Sequence, residues 1–462
     1  MHKFIITLAL FFVLASANAQ QDASQFTSGE RVVFVGNSIT HGGHYHSFVW
    51  VYYMTRFPDH PITVINAGIG GETALDIRNR LVADVLKREP TTIIMTFGMN
   101  DSGYHIWWEE NASELGEIYL NNSLESFREI ETMLQDSFDG KVVMLGGSPY
   151  DETSKMNDFI FPGKNEVLLK INDFQRESAS DNGWGFIDLN RPMLEINRRE
   201  QMADSAFSLC GIDRIHPDND GQMVMTYLIL KAQGLAGKKV AEISVNANTL
   251  KAIHLDNCAV SDIHLENNVL AFHYMAKALP FPIDTVPRHG WGNKKTQRDA
   301  LDLVPFIEEF NQEILKVSNL KKGAYQLLID GIPIAKFSSS ELGNGINMAL
   351  LSNTPQYRQA LKVMFLNEER FEVEKRFRDY HWMEYSFLRK KGITDIEGSA
   401  ALDTLHHYLP NDGFLKMSYD IFTKARHPEV RDAWQIYMDA IVDKIYKINQ
   451  PVRHYIEIKR IS

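Results

Sequence analysis

The sequence has little cysteine. Only two cysteines, Cys210 and Cys258, occur in 462 residues, and two cysteines this far apart do not make a zinc site. They can pair in an oxidising compartment or remain as buried thiols, and both alternatives stay open at this point. Low-complexity tracts and repeats at solenoid periods are also missing, so the composition is that of a globular protein.

Long basic runs are missing as well. The chain carries 48 basic and 59 acidic residues, for a formal net charge of −11. This excess of negative charge would repel a nucleic-acid backbone, so we expect no polynucleotide partner. A neutral glycan or a small ester meets no such barrier.

No apolar run is long enough to span a bilayer. The apolar stretch from Phe4 to Val13 follows a short basic start and precedes a small-x-small pattern at residues 17–19, directly before Gln20. This order predicts a secretory signal peptide over residues 1–19, with a buried N-terminal helix as the alternative. We therefore expect an exported protein, either periplasmic or secreted.

Short apolar segments alternate with helical ones between residues 31 and about 235. Five strands are predicted, at residues 31–35, 62–65, 92–97, 142–145 and 185–189. The segments between them show apolar residues at helical spacing, as from Leu75 to Leu86. Strands that are apolar on both faces are typical of a parallel sheet covered by helices.

The pattern changes after residue 240. Residues 241–340 are predicted to be rich in strands, with a hairpin at Asp330-Gly331, although Leu303 to Val317 is predicted to be helical. Residues 354–450 are predicted to be mainly helical, and Val452 to Ile461 to form a last strand. We interpret residues 240–462 as an accessory α+β region packed on the first half.

Four short segments of the first half carry polar side chains suited to chemistry. They are residues 36–40 (GNSIT), 68–73 (GIGGET), 98–101 (GMND) and 213–217 (DRIHP). The first three follow predicted strands directly, and ligands bind at the carboxyl ends of strands in open α/β sheets. Together the segments supply a serine, a backbone N–H, an amide and an Asp–His pair, which are the parts of a serine acyl-transfer site.

Ser38 is the leading candidate for the nucleophile. A serine at a strand-to-helix turn is often only a helix cap, which is the alternative. The chain has no G-x-S-x-G elbow, since residues 146–150 (GGSPY) lack the second glycine. Asp213 and His216 are three residues apart, so on a helical turn both side chains would lie on one face.

Two residues are candidates for stabilising an oxyanion. The glycines at 68, 70 and 71 suggest a dinucleotide-binding turn as an alternative, but Thr73 replaces its third glycine. A glycine N–H can approach an oxyanion with no Cβ in the way. Asn100 offers an uncharged amide donor, although asparagine is also common in turns.

The four segments resemble the sequence blocks of the SGNH (GDSL) hydrolase family, over about residues 30–235. The resemblance implies that Ser38 is the nucleophile, that Asp213 and His216 complete the catalytic triad, and that Gly71 and Asn100 donate to the oxyanion together with the Ser38 N–H. It also implies a flavodoxin-like three-layer α/β/α sandwich with a parallel sheet, and no metal or organic cofactor.

Asn37 departs from the pattern of that family, which usually has Gly-Asp-Ser where this chain has Gly-Asn-Ser. An amide can keep the hydrogen bonds of the turn but removes a negative charge beside the nucleophile. We expect activity to survive.

Two further clusters flank these segments. The first cluster consists of His41, His44 and His46. No carboxylate or cysteine stands near it at ligand spacing, so we interpret it as pocket lining or exposed loop rather than a metal site. The second cluster consists of His105, Trp107 and Trp108. We interpret it as a candidate substrate contact, since indoles stack on sugar rings, and core packing is the alternative.

The sequence thus predicts an exported serine esterase that hydrolyses carbohydrate esters, with O-acetyl groups as the preferred substrate, through an acyl-enzyme on Ser38. A lysophospholipase-like or short-chain lipid esterase is one alternative. A catalytically silent glycan-binding protein on the same scaffold is the other.

Overall fold

The computed structural model describes residues 23–288 and 294–461, so the predicted signal peptide lies outside the described residues. The strands are β1 Arg31–Gly36, β2 Thr63–Gly68, β3 Thr92–Met95, β4 Lys141–Gly146, β5 Gly185–Asp188, β6 Ala241–Asn246, β7 Lys251–Asp256, β8 Cys258–Glu266, β9 Val269–Ala276, β10 Glu313–Ser318, β11 Ala324–Ile329, β12 Ile332–Ser338, β13 Ile346–Asn347 and β14 His454–Arg460. The α-helices are α1 Ser38–His41, α2 Tyr45–Arg56, α3 Ala74–Arg80, α4 Ala112–Ser137, α5 Lys164–Asn182, α6 Asn190–Glu200, α7 Asn219–Ala232, α8 Phe306–Phe310, α9 Ser339–Asn344, α10 Pro355–His381, α11 Ser399–Tyr408, α12 Gly413–Ala425 and α13 Pro428–Ile448.

The first five strands form one parallel sheet in the order β2-β1-β3-β4-β5. This is the flavodoxin-like order. Helices α2 and α7 pack together on one face, and α3, α4 and α5 follow one another on the other face. The predicted three-layer α/β/α sandwich is therefore confirmed, and each predicted strand is found with bounds shifted by a few residues.

The sheet is buried on both faces. All four residues of β3 are buried, as are five of the six in β1 and in β4. Short apolar strands of this kind are stable only when helices cover both sides, because neither face can meet water. The carboxyl ends of β1 and β2 are in register at Gly36 and Gly68, which sets the edge where the polar segments meet.

Two further sheets pack together in the second half. One has the order β13-β10-β6-β7 and the other β12-β11-β14-β9-β8, and they share an apolar core that includes Ile243, Phe272 and Leu327. The predicted hairpin joins β11 and β12, with φ of 53° at Asp330 and 74° at Gly331, as a type I′ turn requires. The predicted last strand is β14, between β9 and β11.

The prediction of a helix from Leu303 to Val317 is wrong. Only Phe306–Phe310 is α-helical there, and Glu313–Ser318 is strand β10, which pairs with β6 in parallel. Its residues alternate between buried and partly exposed, which is the period of a strand. Apolar residues spaced closely along the chain fit both periods, and pairing with a distant strand decides between them.

The long helices of the second half pack on the sandwich. Helix α10 lies against α2 and α13, and Val363, Met364, Ile441 and Ile445 belong to the same apolar core as the parallel sheet. Helices α11 and α12 add a smaller core of their own. Within the described ranges, no helix combines the length and the apolar character needed to cross a bilayer. Cys210 and Cys258 are both free thiols.

We expect the substitution Glu313→Gln to have a pH-dependent effect on stability. Glu313 is 1% exposed, and its Oε1 accepts hydrogen bonds from the Tyr274 hydroxyl at 2.8 Å and the Gln356 amide at 3.1 Å. Burial raises the pKa of Glu313 from 4.5 to about 7. Since the folded state holds this proton more tightly than the unfolded state, the carboxyl group destabilises the fold increasingly as pH rises from about 4.5 to 7.

The free energy of unfolding of the Glu313→Gln variant, relative to the parent, should therefore increase between pH 5 and pH 8 by on the order of 1–3 kcal/mol. Urea unfolding at the two pH values measures it. Glu242→Gln on the neighbouring strand is the matched control, because Lys239 holds the pKa of Glu242 below its usual value. Glu242 is ionised in both the folded and the unfolded state between pH 5 and pH 8, so the relative stability of Glu242→Gln should stay nearly constant there. A rise equal to that of Glu313→Gln would contradict the assignment.

Candidate active site

Ser38 begins helix α1 directly after strand β1. The cap of this helix is Asn37, whose Oδ1 accepts a hydrogen bond from the Ile39 N–H at 3.0 Å. Asn37 therefore takes the role of helix cap, which was the alternative that we considered for Ser38. The Ser38 hydroxyl instead lies 2.8 Å from Nε2 of His216.

Asp213 and His216 come from the segment between α6 and α7. This segment is not the helical turn that we considered, because Arg214 has φ of 65°. Asp213 Oδ1 accepts the N–H groups of Ile215 and His216 at 2.9 and 3.1 Å, and its Oδ2 lies 2.5 Å from His216 Nδ1. The carboxylate therefore shapes the turn and faces the ring at the same time.

The Asp213 carboxylate is held in its charged form. Burial opposes ionisation, but hydrogen bonds from His216 Nδ1 and from the N–H groups of Ile215 and His216 keep the pKa of Asp213 below its usual value. A charged oxygen at Nδ1 favours the tautomer that carries its proton there, which leaves Nε2 able to take a proton from Ser38.

Arg214 is a residue of this site that sequence reasoning missed. Its side chain is fully buried and donates to the carbonyl oxygens of Asp151, Ser154 and Phe159 at 3.0, 2.8 and 3.0 Å. It thereby supports the Asp–His turn on the loop that follows β4. Arginine in a polar turn is usually exposed, so the sequence carried no signal for this role.

The loop after β2 contains a turn that depends on glycine. The Glu72 N–H donates to Ile69 O at 3.4 Å, and Gly71 has φ of 81°. A Cβ added at Gly71 would meet nothing within 4 Å, so glycine is favoured there by conformation and not by lack of space. Across the described part of the chain, neither the Ser38 N–H nor the Gly71 N–H donates a hydrogen bond.

Asn100 lies against this loop. Its Nδ2 donates to Glu72 O at 2.7 Å, and its Oδ1 accepts the Tyr104 hydroxyl at 2.7 Å. The amide is thereby oriented from both ends, and its second N–H can serve another acceptor. Asp101 joins the two loops, accepting the Ala74 N–H at 2.8 Å and the Gly98 N–H at 2.9 Å.

The histidine cluster does not form the exposed loop or pocket lining that we expected. His44 and His46 are 3% and 0% exposed, and both stack on Phe371 of α10. The centroid of the Phe371 ring lies 4.1 Å from that of His44 and 5.7 Å from that of His46. His44 Nε2 lies 3.2 Å from Glu368 Oε1, and His41 also faces α10. The burial of these histidines could not be predicted from neighbouring residues, because helix α10, which covers them, is more than 300 residues away in the chain. Residues 23–288 and 294–461 contain no group of three or more side chains able to hold a metal ion.

The two neighbouring tryptophans have different surroundings. Trp107 is 8% exposed, donates to Ser102 O at 2.9 Å and packs in the core, which is the alternative that we considered to a substrate contact. Trp108 is 51% exposed, with ring centroids 5.1 Å from His105 and 5.0 Å from Phe159 and Phe161.

This aromatic cluster reaches the site. The ring of Phe161 lies 5.7 Å from that of Tyr104, which holds the Asn100 amide. The cluster therefore runs without a break from Asn100 to the exposed face of Trp108. Phe159 and Phe161 were missed in the sequence, because they lie in an irregular loop with no periodic pattern.

Comparison with known proteins gives two family matches. Residues 34–224 match the model of the GDSL-like lipase/acylhydrolase family, and residues 361–450 match that of the diltiazem deacetylase C-terminal helical domain. The solved structure of a gut microbial diltiazem-metabolizing enzyme is 47% identical, covers 96% of this chain and 100% of its own, and superposes with a TM-score of 0.93.

An acetylxylan esterase from Geobacillus stearothermophilus is 22% identical over 228 residues, which are 45% of this chain and 95% of its own length. Its crystal structure is similar over 45% of this chain and 95% of its own, at 19% identity and a TM-score of 0.37.

Proposed function

The chain belongs to the GDSL-like lipase/acylhydrolase family and is a serine ester hydrolase, and we propose that it removes acetyl groups through an acyl-enzyme on Ser38. The observation that carries this proposal is the row of hydrogen bonds from Ser38 Oγ to His216 Nε2, at 2.8 Å, and from His216 Nδ1 to Asp213 Oδ2, at 2.5 Å. Such a row is what general-base activation of a serine needs.

The reaction has two halves. Ser38 Oγ attacks the carbonyl carbon of the ester while His216 Nε2 takes the hydroxyl proton, and collapse of the tetrahedral intermediate breaks the bond to the alcohol oxygen, which receives that proton. A water molecule then attacks the carbonyl carbon of the acetyl-serine, while His216 Nε2 takes the proton of the water. Acetate leaves and Ser38 regains its proton. Asp213 holds the ring of His216 in the required tautomer throughout.

The negative oxygen of each intermediate needs donors. The N–H groups of Ser38 and Gly71 and the second N–H of the Asn100 amide fill this role in the proposal. Tyr104 holds Asn100 in orientation, since its hydroxyl occupies the amide oxygen and turns the amide nitrogen toward the loop of Gly71. Donors that are already oriented stabilise the transition state without reorganisation.

We propose an O-acetylated carbohydrate as the substrate. The name of the acetylxylan esterase relative supports it, and so does the exposed indole of Trp108 beside the site, because indoles stack on sugar rings. A second candidate is the acetyl ester of an aromatic alcohol. It is supported by the diltiazem-metabolizing relative, which is similar over nearly the whole chain, and by the aromatic cluster between Asn100 and Trp108.

The Ser38→Ala variant tests the mechanism. We expect the parent enzyme to release acetate from p-nitrophenyl acetate and from acetylated xylo-oligosaccharides, and the variant to lose about 10⁴-fold or more in kcat. Ser148→Ala is the matched control, since Ser148 also follows a strand of the sheet but its hydroxyl has no hydrogen-bond partner among the described residues, and it should keep its activity.

Each other outcome has a clear meaning. Acetate release by the Ser38→Ala variant at the parent rate would exclude Ser38 as the nucleophile. Faster cleavage of octanoyl esters or lysophospholipid than of acetyl esters would favour the lipid esterase. Absence of hydrolysis of every ester by the parent, together with binding of the glycan, would favour the silent binding protein.

Trp108→Ala separates the two substrate candidates. With a sugar leaving group, loss of the indole should lower kcat/KM for acetylated xylo-oligosaccharides by about 3- to 10-fold, the size of one ring contact. The small ester methyl acetate should be hydrolysed at the parent rate, because it is too small to reach the indole. A loss confined to acetyl esters of bulky aromatic alcohols would support the second candidate instead.

We also propose export, on the basis of the signal-peptide pattern in residues 1–19. The protein recovered from the periplasm or the medium of an expressing Gram-negative bacterium should begin at Gln20, as mass spectrometry of the intact chain can measure. Recovery of the chain with Met1 in the cytoplasm only would contradict this.

A further inference from the structure

Helix α10 reaches the loops of the active site through a carboxylate. Asp379 Oδ1 lies 3.2 Å from His41 Nε2, although the two residues are 338 positions apart in the chain. The other ring nitrogen, His41 Nδ1, accepts a hydrogen bond from the Gly70 N–H at 3.1 Å. A row of contacts thus leads from α10 through the end of α1 to the turn that contains Gly71.

The direction of these bonds defines the state of the ring. A nitrogen that accepts from a backbone N–H carries no proton, so the proton of a neutral His41 lies on Nε2 and is donated to Asp379. Burial lowers the pKa of His41, which favours the neutral ring. Burial alone would raise the pKa of Asp379, but the hydrogen bond from His41 keeps it below its usual value.

The backbone of His41 is held against the end of strand β2. The backbone N of His41 would lie 2.5 Å from a Cβ placed on Gly68, so the two backbones are in close contact. His41 O accepts the Asn66 amide at 3.2 Å. The indole of Trp382 also lies beside Gly70, where its Cδ1 would be 3.7 Å from an added Cβ, the same distance as His41 Nδ1.

The turn itself is weakly held from within. Its own hydrogen bond, from Glu72 N–H to Ile69 O, is 3.4 Å long, beyond the usual range for an amide bond. Its two central residues, Gly70 and Gly71, are the residue type with the greatest conformational freedom. An acceptor outside the turn is therefore needed to fix the peptide between Ile69 and Gly70, because its orientation sets the direction of the next peptide, which carries the Gly71 N–H.

We propose that Asp379 and His41 are positioning residues, which fix the Gly70 N–H and thereby hold the Gly71 N–H in the orientation that stabilises the oxyanion. This inference rests on the proposed function of Gly71. It gives the C-terminal helical region a part in the reaction: α10 sets the rate of the chemical step from outside the sandwich, and neither residue needs to touch the substrate.

Two substitutions of His41 separate its contacts. In His41→Asn the side-chain oxygen can replace Nδ1 as acceptor for Gly70, whereas in His41→Gln the longer side chain reaches Asp379 and leaves Gly70 without an acceptor. We expect His41→Gln to lower kcat for p-nitrophenyl acetate by about 10-fold or more, up to the 10²–10³ that loss of an oxyanion donor costs. KM should change little, and His41→Asn should restore most of kcat.

Two substitutions of Asp379, on helix α10, form a matched pair. Asp379→Ala should lower kcat less than His41→Gln does, because Nδ1 of His41 remains as an acceptor but its ring is no longer held. Asp379→Asn, whose oxygen can still accept from Nε2, should lose least. Glu368→Ala is the control, because Glu368 lies on the same helix and meets His44 at the same separation of 3.2 Å. Lys375→Ala removes the other partner of Asp379. Both controls should keep the parent kcat, whatever their change in melting temperature.

The outcomes distinguish this inference from the proposed function. If the parent hydrolyses acetyl esters and Ser38→Ala does not, but His41→Gln and Asp379→Ala keep the parent kcat, the positioning role is wrong while the mechanism stands. Equal losses in His41→Asn, His41→Gln and Glu368→Ala, in step with melting temperature, would also overturn it. If Ser38→Ala retains activity, the mechanism itself fails.

Discussion

The close approach of the backbone at the carboxyl ends of β1 and β2 is the constraint on which the rest of the site depends. Gly36 and Gly68 face each other in register. A Cβ on Gly36 would lie 2.3 Å from Thr40 Oγ1, and one on Gly68 would lie 2.5 Å from the N of His41. Only glycine permits this contact. Helix α1 can therefore start directly beneath the loop after β2, which brings Ser38 and the turn of Gly71 to the same edge of the sheet.

Carboxylates that accept backbone N–H groups hold the loops around that edge. Asp213 shapes its own turn, Asp101 joins the loops after β2 and β3, and Glu374 of α10 accepts the Asn66 N–H at 2.9 Å. A carboxylate that accepts N–H groups from another segment fixes that segment in one geometry. Because α10 supplies Glu374 and Asp379, the second half of the chain is a structural part of the site rather than an addition to it.

The sequence predicted more of the sandwich than of its surroundings. The five strands and the four polar segments could be recognised because short apolar runs that end in glycine have a local signature. The segment from Leu303 to Val317 could not be assigned correctly, because pairing of β10 with β6 outweighed a helical spacing. His44 and Trp107 were misjudged for a related reason: whether a polar or aromatic side chain is exposed depends on what packs over it, and those partners are distant in the chain.

The sequence by itself determined the succession of strands and helices along the chain, the turns that need glycine, and the set of side chains at the strand ends. All of these follow from neighbours in the chain. Only the tertiary structure decided which of those side chains meet. The contacts of Ser38 with His216 and of His41 with Asp379 join residues 178 and 338 positions apart. Such contacts arise from the packing of whole elements against one another, and no local pattern encodes that packing.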